Sequence, residues 1–161
     1  MSTGLRILVL TAALGCGTLG GTLFAFSGFV MPALARLPGP AGVAAMQSIN
    51  VTALRFPLGS VLAGTTLACI AVLVAGFLRL GEPGTIWMLA GAALFLVGGL
   101  LVTGLLNVPM NEQLAVMDPV AAASDGSWSE FLRGWTAANH LRTVASLAAS
   151  ACLMTAAAVG G

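Results

Sequence analysis

The chain contains one histidine, and its neighbours draw attention first. In Trp135-Thr-Ala-Ala-Asn139-His140-Leu-Arg142-Thr143, an amide, an imidazole and a guanidinium fall within a single turn of chain. Imidazole is the side chain whose ordinary pKa lies near neutrality, so His140 is the candidate general base. Asn139 and Arg142 add an amide and a cation beside it, groups that are costly at membrane depth unless they face the bundle interior or water. On a helix that begins near Trp135, the residues Trp135, Asn139 and Arg142 recur at i, i+4 and i+7 and share one stripe, with His140 and Thr143 on the adjoining one. Further polar residues sit at the ends of apolar stretches: Ser27 and Pro32, Asn50 and Arg55, and Asn107-Val-Pro-Met-Asn111. Plainer roles stay open for several of them. Asn107 would cap a helix that Pro109 stops, Trp128 and Trp135 would anchor at a membrane interface, and Arg55 and Arg133 would snorkel or pair with loop carboxylates.

The elements that must position these residues follow from the charges. Among 161 residues, 58% are apolar, 21 are glycine, and only six arginines and five acids are charged. Soluble domains are about a quarter charged, so this composition excludes one. A net charge of +1 offers no basic stripe, which excludes a nucleic-acid partner. No charged residue occurs between Arg6 and Arg36, Arg55 and Arg79, Glu82 and Glu112, or after Arg142. Each gap reaches or exceeds the roughly 20 helical residues that span about 30 Å of hydrocarbon, the last with the uncharged turns before Arg142 included. The gaps predict transmembrane helices near 7–30, 58–78, 86–106 and 138–159. The stretch from Arg36 to Arg55 is also free of charge, but Pro38, Pro40, Gln47, Ser48 and Asn50 mark it as a loop. Ala33-Leu34-Ala35 resembles a signal-peptide cleavage site, yet the apolar region before it is longer than a signal peptide requires, so the first span is expected to be retained.

Four spans make an all-α, four-helix transmembrane bundle, a single domain over 1–161, with both termini on one side and two long loops on the other membrane face. The termini are placed in the cytoplasm. In the first long loop, from Met31 to Pro57, Val43, Met46 and Ile49 recur at helical spacing and predict a short interfacial helix. The second runs from Asn107 to Trp135 and carries a turn at Ser124-Asp-Gly-Ser127. Gly81-Glu-Pro-Gly84 joins helices two and three as a tight hairpin. Gly17 and Gly21, Gly59 and Ala63, and Gly91, Gly98 and Gly99 read as close-approach positions between helices. Cys16, Cys69 and Cys152 lie inside spans with no paired spacing and read as packing residues.

Phe24-Ala-Phe-Ser-Gly-Phe-Val-Met-Pro-Ala-Leu34, Ala45-Met-Gln-Ser-Ile-Asn50, Asn107-Val-Pro-Met-Asn111 and Trp135 to Thr143, taken in this order and spacing, resemble the anthrone oxygenase family of small integral membrane proteins. The resemblance implies oxidation of an anthrone to an anthraquinone by molecular oxygen, with no cofactor and no metal. An anthrone has an acidic CH2 opposite a ketone, and its enolate can pass an electron to oxygen. His140 would then take the proton; Asn107, Asn111, Asn139 and Arg142 would hold the enolate oxygen; and Trp135 with Phe24 or Phe29 would hold the flat rings. Asn50 and Arg55 complete the expected binding pocket under the loops. Partners expected on this reading are a hydrophobic aromatic or phenolic molecule, oxygen and the lipid bilayer, in a bacterial inner membrane, with homo-oligomerisation left open. Two alternatives remain: a haem held by His140 and a second ligand such as Met110, and a non-enzymatic scaffold or small-molecule-binding subunit in which Asn139, His140 and Arg142 brace the loops.

Overall fold

The computed structural model describes residues 1–160 other than 54 and 56. Helix α1 (Thr3–Arg36) starts behind Ser2, whose hydroxyl accepts from Leu5 N at 3.4 Å. It is followed by α2 (Gly39–Ala53), α3 (Leu58–Phe77), α4 (Thr85–Ala115), the short α5 (Pro119–Ser124) and α6 (Ser127–Val159). No strand occurs among the described residues. The helices α1, α3, α4 and α6 are each long and apolar enough to cross a membrane, so the described residues form an all-helical bundle with four candidate spans, which suggests a membrane protein.

Both chain ends meet at one end of the bundle. The terminal amine of Met1 donates to Gly160 O at 2.7 Å, and Gly84, in the turn between α3 and α4, abuts Ala156 O and Gly160. Gly84 has φ of 84°, a left-handed conformation that favours glycine, and this lets α4 start directly from the turn. The even topology, with α2 and α5 together at the opposite end, follows from this arrangement. Helix α2 does form where Val43 and Met46 indicated, and both are fully buried. It packs on the other long loop: Gly39 lies against Ala123, Gly42 against Trp128, and Gln47 Nε2 donates to Leu114 O at 2.8 Å and Met117 O at 3.0 Å. The two loops thus form one cap over the bundle.

Three boundaries differ from the sequence expectation. Helix α1 passes through Pro32, α4 passes through Asn107 and Pro109, and α6 begins at Ser127. A proline inside an α-helix removes one hydrogen bond and clashes with the carbonyl four residues earlier. Here both prolines follow a π-helical turn, Phe26–Val30 and Thr103–Asn107 respectively. Met31 N donates to Phe26 O, and Val108 N to Thr103 O, one residue further back than in an α-helix. The wider turn makes room for the ring and lets the helix continue. Asn107 consequently caps nothing. It is buried within α4, and its Nδ2 donates to Trp135 O at 3.3 Å.

Glycine and small residues set the close approaches that lipid cannot drive by burial alone. A methyl at Gly98 would overlap Ala145 Cβ, one at Gly91 would meet Leu153 and Ala149 O, and one at Gly20 would meet Leu147, each across a contact with α6. Ser150 Oγ adds a cross-helix bond to Ala13 O at 2.8 Å. Cys16 and Cys69 face each other from α1 and α3 as buried free thiols with sulfurs 3.7 Å apart.

Candidate active site

Beneath the loop cap, a cavity of about 400 Å³ opens between α1, α2, α4 and α6, with the start of α3 closing one side. This is within the usual range of about 300–1,000 Å³ for small-molecule sites. Its walls are mostly apolar, and Leu19, Leu23, Phe26, Ile49, Leu62 and Phe95 are typical of them. The π turns of α1 and α4 both lie alongside it: Phe26 belongs to one, and Thr103 and Asn107 belong to the other.

Polar groups enter this apolar space from three helices. Arg142 of α6 is half-buried, and Nη1 donates to Asn139 Oδ1 at 3.4 Å. Asn139 is wholly buried; its Nδ2 donates to Leu23 O and to Ser27 Oγ, both at 2.7 Å. All its hydrogen-bonding capacity is therefore directed at fixing α6 against α1 and orienting the guanidinium. Trp135 Nε1 donates to Asn111 Oδ1 at 2.9 Å, and its ring lies 5.9 Å from that of Phe26 at 48°. Trp135 is thereby held by hydrogen bond and ring contact together, as a flat wall at the loop end of the cavity.

The unsatisfied atoms are more telling. Among the described residues, the buried side-chain polar atoms without a partner are Asn50 Nδ2, Asn107 Oδ1, Arg142 Nε and Ser146 Oγ, and every one of these residues lines this cavity. A buried polar group without a partner costs about 1–3 kcal/mol. Four of them converging on one space make it the candidate binding site, since a ligand or a bridging water would complete their hydrogen bonds. Arg142 also has no carboxylate within ion-pair distance; the only ion pair among the described residues joins Arg79 and Glu82. A cation at membrane depth without an acid invites an anionic ligand.

The structure brings together Asn50, Asn107, Asn111, Trp135 and Arg142 on the cavity wall, with Asn139 directly behind Arg142. It does not bring His140, Arg55, Phe24 or Phe29 there. His140 is exposed and lines a separate shallow depression with Ser27, Pro32, Arg133 and Thr136. At 3.6 residues per turn it stands about 100° around α6 from Asn139, and that step carries it out of the cavity-facing stripe. Phe24 and Phe29 are exposed on the outer surface of α1, where lipid would surround them, and Arg55 is exposed in the turn between α2 and α3. Trp128 is buried under α2 rather than standing at an interface. Of the haem alternative's pair, Met110 packs against the apolar cluster of the loop cap. Among the described residues, no three of His, Cys, Asp and Glu gather into a metal-ligand group.

Sequence reasoning gave no site role to Phe26, Ser146 or Glu112. Leu19, Leu23 and Phe26 repeat at i, i+4, i+7, which places Phe26 rather than its two neighbouring phenylalanines on the inner face. Ser146 extends the stripe of Trp135, Asn139 and Arg142 by one more turn. Glu112 brings a carboxylate to the cavity lining from the loop end of α4.

No curated protein and no solved structure matches the chain. A family model described as anthrone oxygenase matches residues 52–152, more than half of the chain, and this stretch includes α3, α4 and the cavity-lining part of α6. The protein belongs to the anthrone oxygenase family.

Proposed function

We propose that this protein uses molecular oxygen to convert an aromatic CH2 of an anthrone-like substrate into a ketone, and that the reaction takes place in the loop-side cavity. The observation that carries this reading is Arg142, a guanidinium without an acid partner, aimed into a mostly apolar space beside further unsatisfied donors. Membership of the family supports the reaction class.

The chemistry needs an electron-rich anion, because triplet oxygen combines poorly with a neutral closed-shell molecule. Loss of a CH2 proton gives an enolate whose charge rests on the ketone oxygen, where Arg142 stabilises it. One electron passes to oxygen, the two radicals combine at the former CH2 carbon, and protonation gives a hydroperoxide. Loss of water then leaves the new carbonyl. One oxygen atom enters the product, the other leaves as water, and both CH2 hydrogens depart as protons. Trp135 and Phe26 hold the ring system in plane, and Asn139 keeps the guanidinium in register. His140 opens on another surface, so Glu112 is assigned as proton acceptor. An apolar substrate reaches such a site from the bilayer. An all-helical span set suits a bacterial inner membrane, since proteins spanning the outer membrane are typically barrels.

The test is turnover of anthrone by protein purified in detergent, compared with the rate in protein-free micelles. We expect anthraquinone formation above that background with one oxygen consumed per product. Glu112→Gln should lower kcat by roughly 10²-fold or more. A wild-type protein no faster than empty micelles would refute the function, and full activity in Glu112→Gln would remove the assigned base.

A further inference from the structure

Hydroxyl groups inside transmembrane helices usually satisfy themselves locally, and those of this protein mostly do. Thr18, Thr22, Thr66, Thr143 and Thr155 each donate to the carbonyl four residues earlier, and Ser150 reaches across to Ala13 O. Ser146 does neither. It is wholly buried, its Oγ has no partner among the described residues, and it lines the cavity. Across from it stands Gly99, where a methyl would come within 3.3 Å of that hydroxyl and 3.2 Å of the Phe95 ring. Gly99 and Ser146 both line the cavity, so the glycine keeps the wall free of a side chain that would crowd this unsatisfied hydroxyl.

The position of Ser146 relative to Arg142 sets a length. Arg142 reaches back toward the loops to meet Asn139, so its guanidinium lies near the level of Asn139. Ser146 is seven residues further along α6, about 10 Å by helical rise. A single phenol ring is too short to satisfy both groups with one oxygen. A fused-ring ketone whose carbonyl oxygen meets Arg142 can do so if its deeper terminal ring carries a second oxygen.

Resting on the function proposed above, we propose that Ser146 is a specificity-determining residue that binds a hydroxyl substituent on a terminal ring of the substrate, where its unpartnered Oγ meets the cavity beside Gly99.

The experiment measures dissociation constants under argon, where no turnover occurs, by quenching of tryptophan fluorescence with anthrone and with 3-hydroxyanthrone. The wild-type protein should prefer the hydroxylated ligand. Ser146→Ala should weaken 3-hydroxyanthrone by roughly 3- to 10-fold, the range for one neutral hydrogen bond, and leave anthrone unchanged. Gly99→Ala keeps the hydroxyl but crowds it with a methyl, and should lose the same preference. Equal weakening of both ligands in Ser146→Ala, or an undiminished preference, overturns the assignment of Ser146 while leaving the functional reading intact. Failure of the wild-type protein to bind either ligand overturns the functional reading and this assignment with it.

Discussion

The two halves of the bundle are built to opposite ends. Toward the termini, Cys16, Cys69, Val72, Leu153 and Ala156 are wholly buried, and glycines of α4 admit side chains of α6 at distances that leave no room for a methyl. Toward the loops, the same helices part around a cavity, carry proline-associated π turns, and among the described residues leave four with buried polar atoms unpartnered. The difference shows how a small membrane protein separates its tasks. Close packing at one end holds the helices together where lipid offers no apolar driving force. That packing lets the other end keep open a mostly apolar cavity whose few unpartnered polar groups are unfavourable without a ligand or water.

Substitution in the tightly packed half should have the largest effect. Gly91→Leu would drive a side chain into Leu153 and Ala149 O, and overpacking of this kind typically costs about 1–3 kcal/mol, more where backbone is struck. Thermal melting in detergent should drop by many degrees or the protein should fail to accumulate; an unchanged melting temperature would show that the packing there is loose. Next comes Asn139→Ala, at the junction of the halves, which removes the bonds from α6 to Leu23 O and Ser27 Oγ and releases Arg142. We expect kcat to fall roughly tenfold or more with KM changed less, since the charge remains but its direction does not. Trp135→Phe should be milder. It keeps a ring against Phe26 but loses the bond to Asn111, and KM should rise a few-fold, in line with about 1 kcal/mol for one hydrogen bond.

The smallest effect belongs to the loop cap. Asp125 accepts from Ser127 N at 2.9 Å at the start of α6, and this bond holds its carboxyl below the usual carboxylate range. A lowered pKa means that the folded state favours the ionised form. The contribution is therefore present above the ordinary carboxylate pKa of about 4 and is lost as the pH falls through the lower folded value. Asp125→Asn should remove a slight acid dependence of melting and leave turnover near neutral pH unchanged.

How much of this was legible in the sequence follows the same division. Four charge-free gaps located the spans, and the Gly81 to Gly84 turn set the even topology, because transfer of charge into hydrocarbon dominates every local preference. Helix ends near Pro32 and Pro109 were misread because proline stops a helix only if the turn before it keeps α geometry. The π turns depend on neighbouring helices, which no local pattern reveals. Within the site, the stripe of Trp135, Asn139 and Arg142 was readable from spacing alone. Which of two adjoining polar stripes faces inward was not, since His140 and Arg142 both look costly to expose to lipid. Only the packing of α1 against α6, fixed by Asn139 on Leu23 and Ser27, decides that Arg142 faces the cavity and His140 does not.

The most direct test of the central claim compares Arg142→Met and His140→Ala in one turnover assay at neutral pH, with folding of both checked by melting. If the loop-side cavity houses the chemistry, Arg142→Met should lose roughly 10²- to 10³-fold in kcat, as removal of an oxyanion partner does, and His140→Ala should stay within about twofold of wild type. A His140→Ala protein that folds but no longer turns over, beside an active Arg142→Met, would contradict the account and move the reaction to the other face of α6.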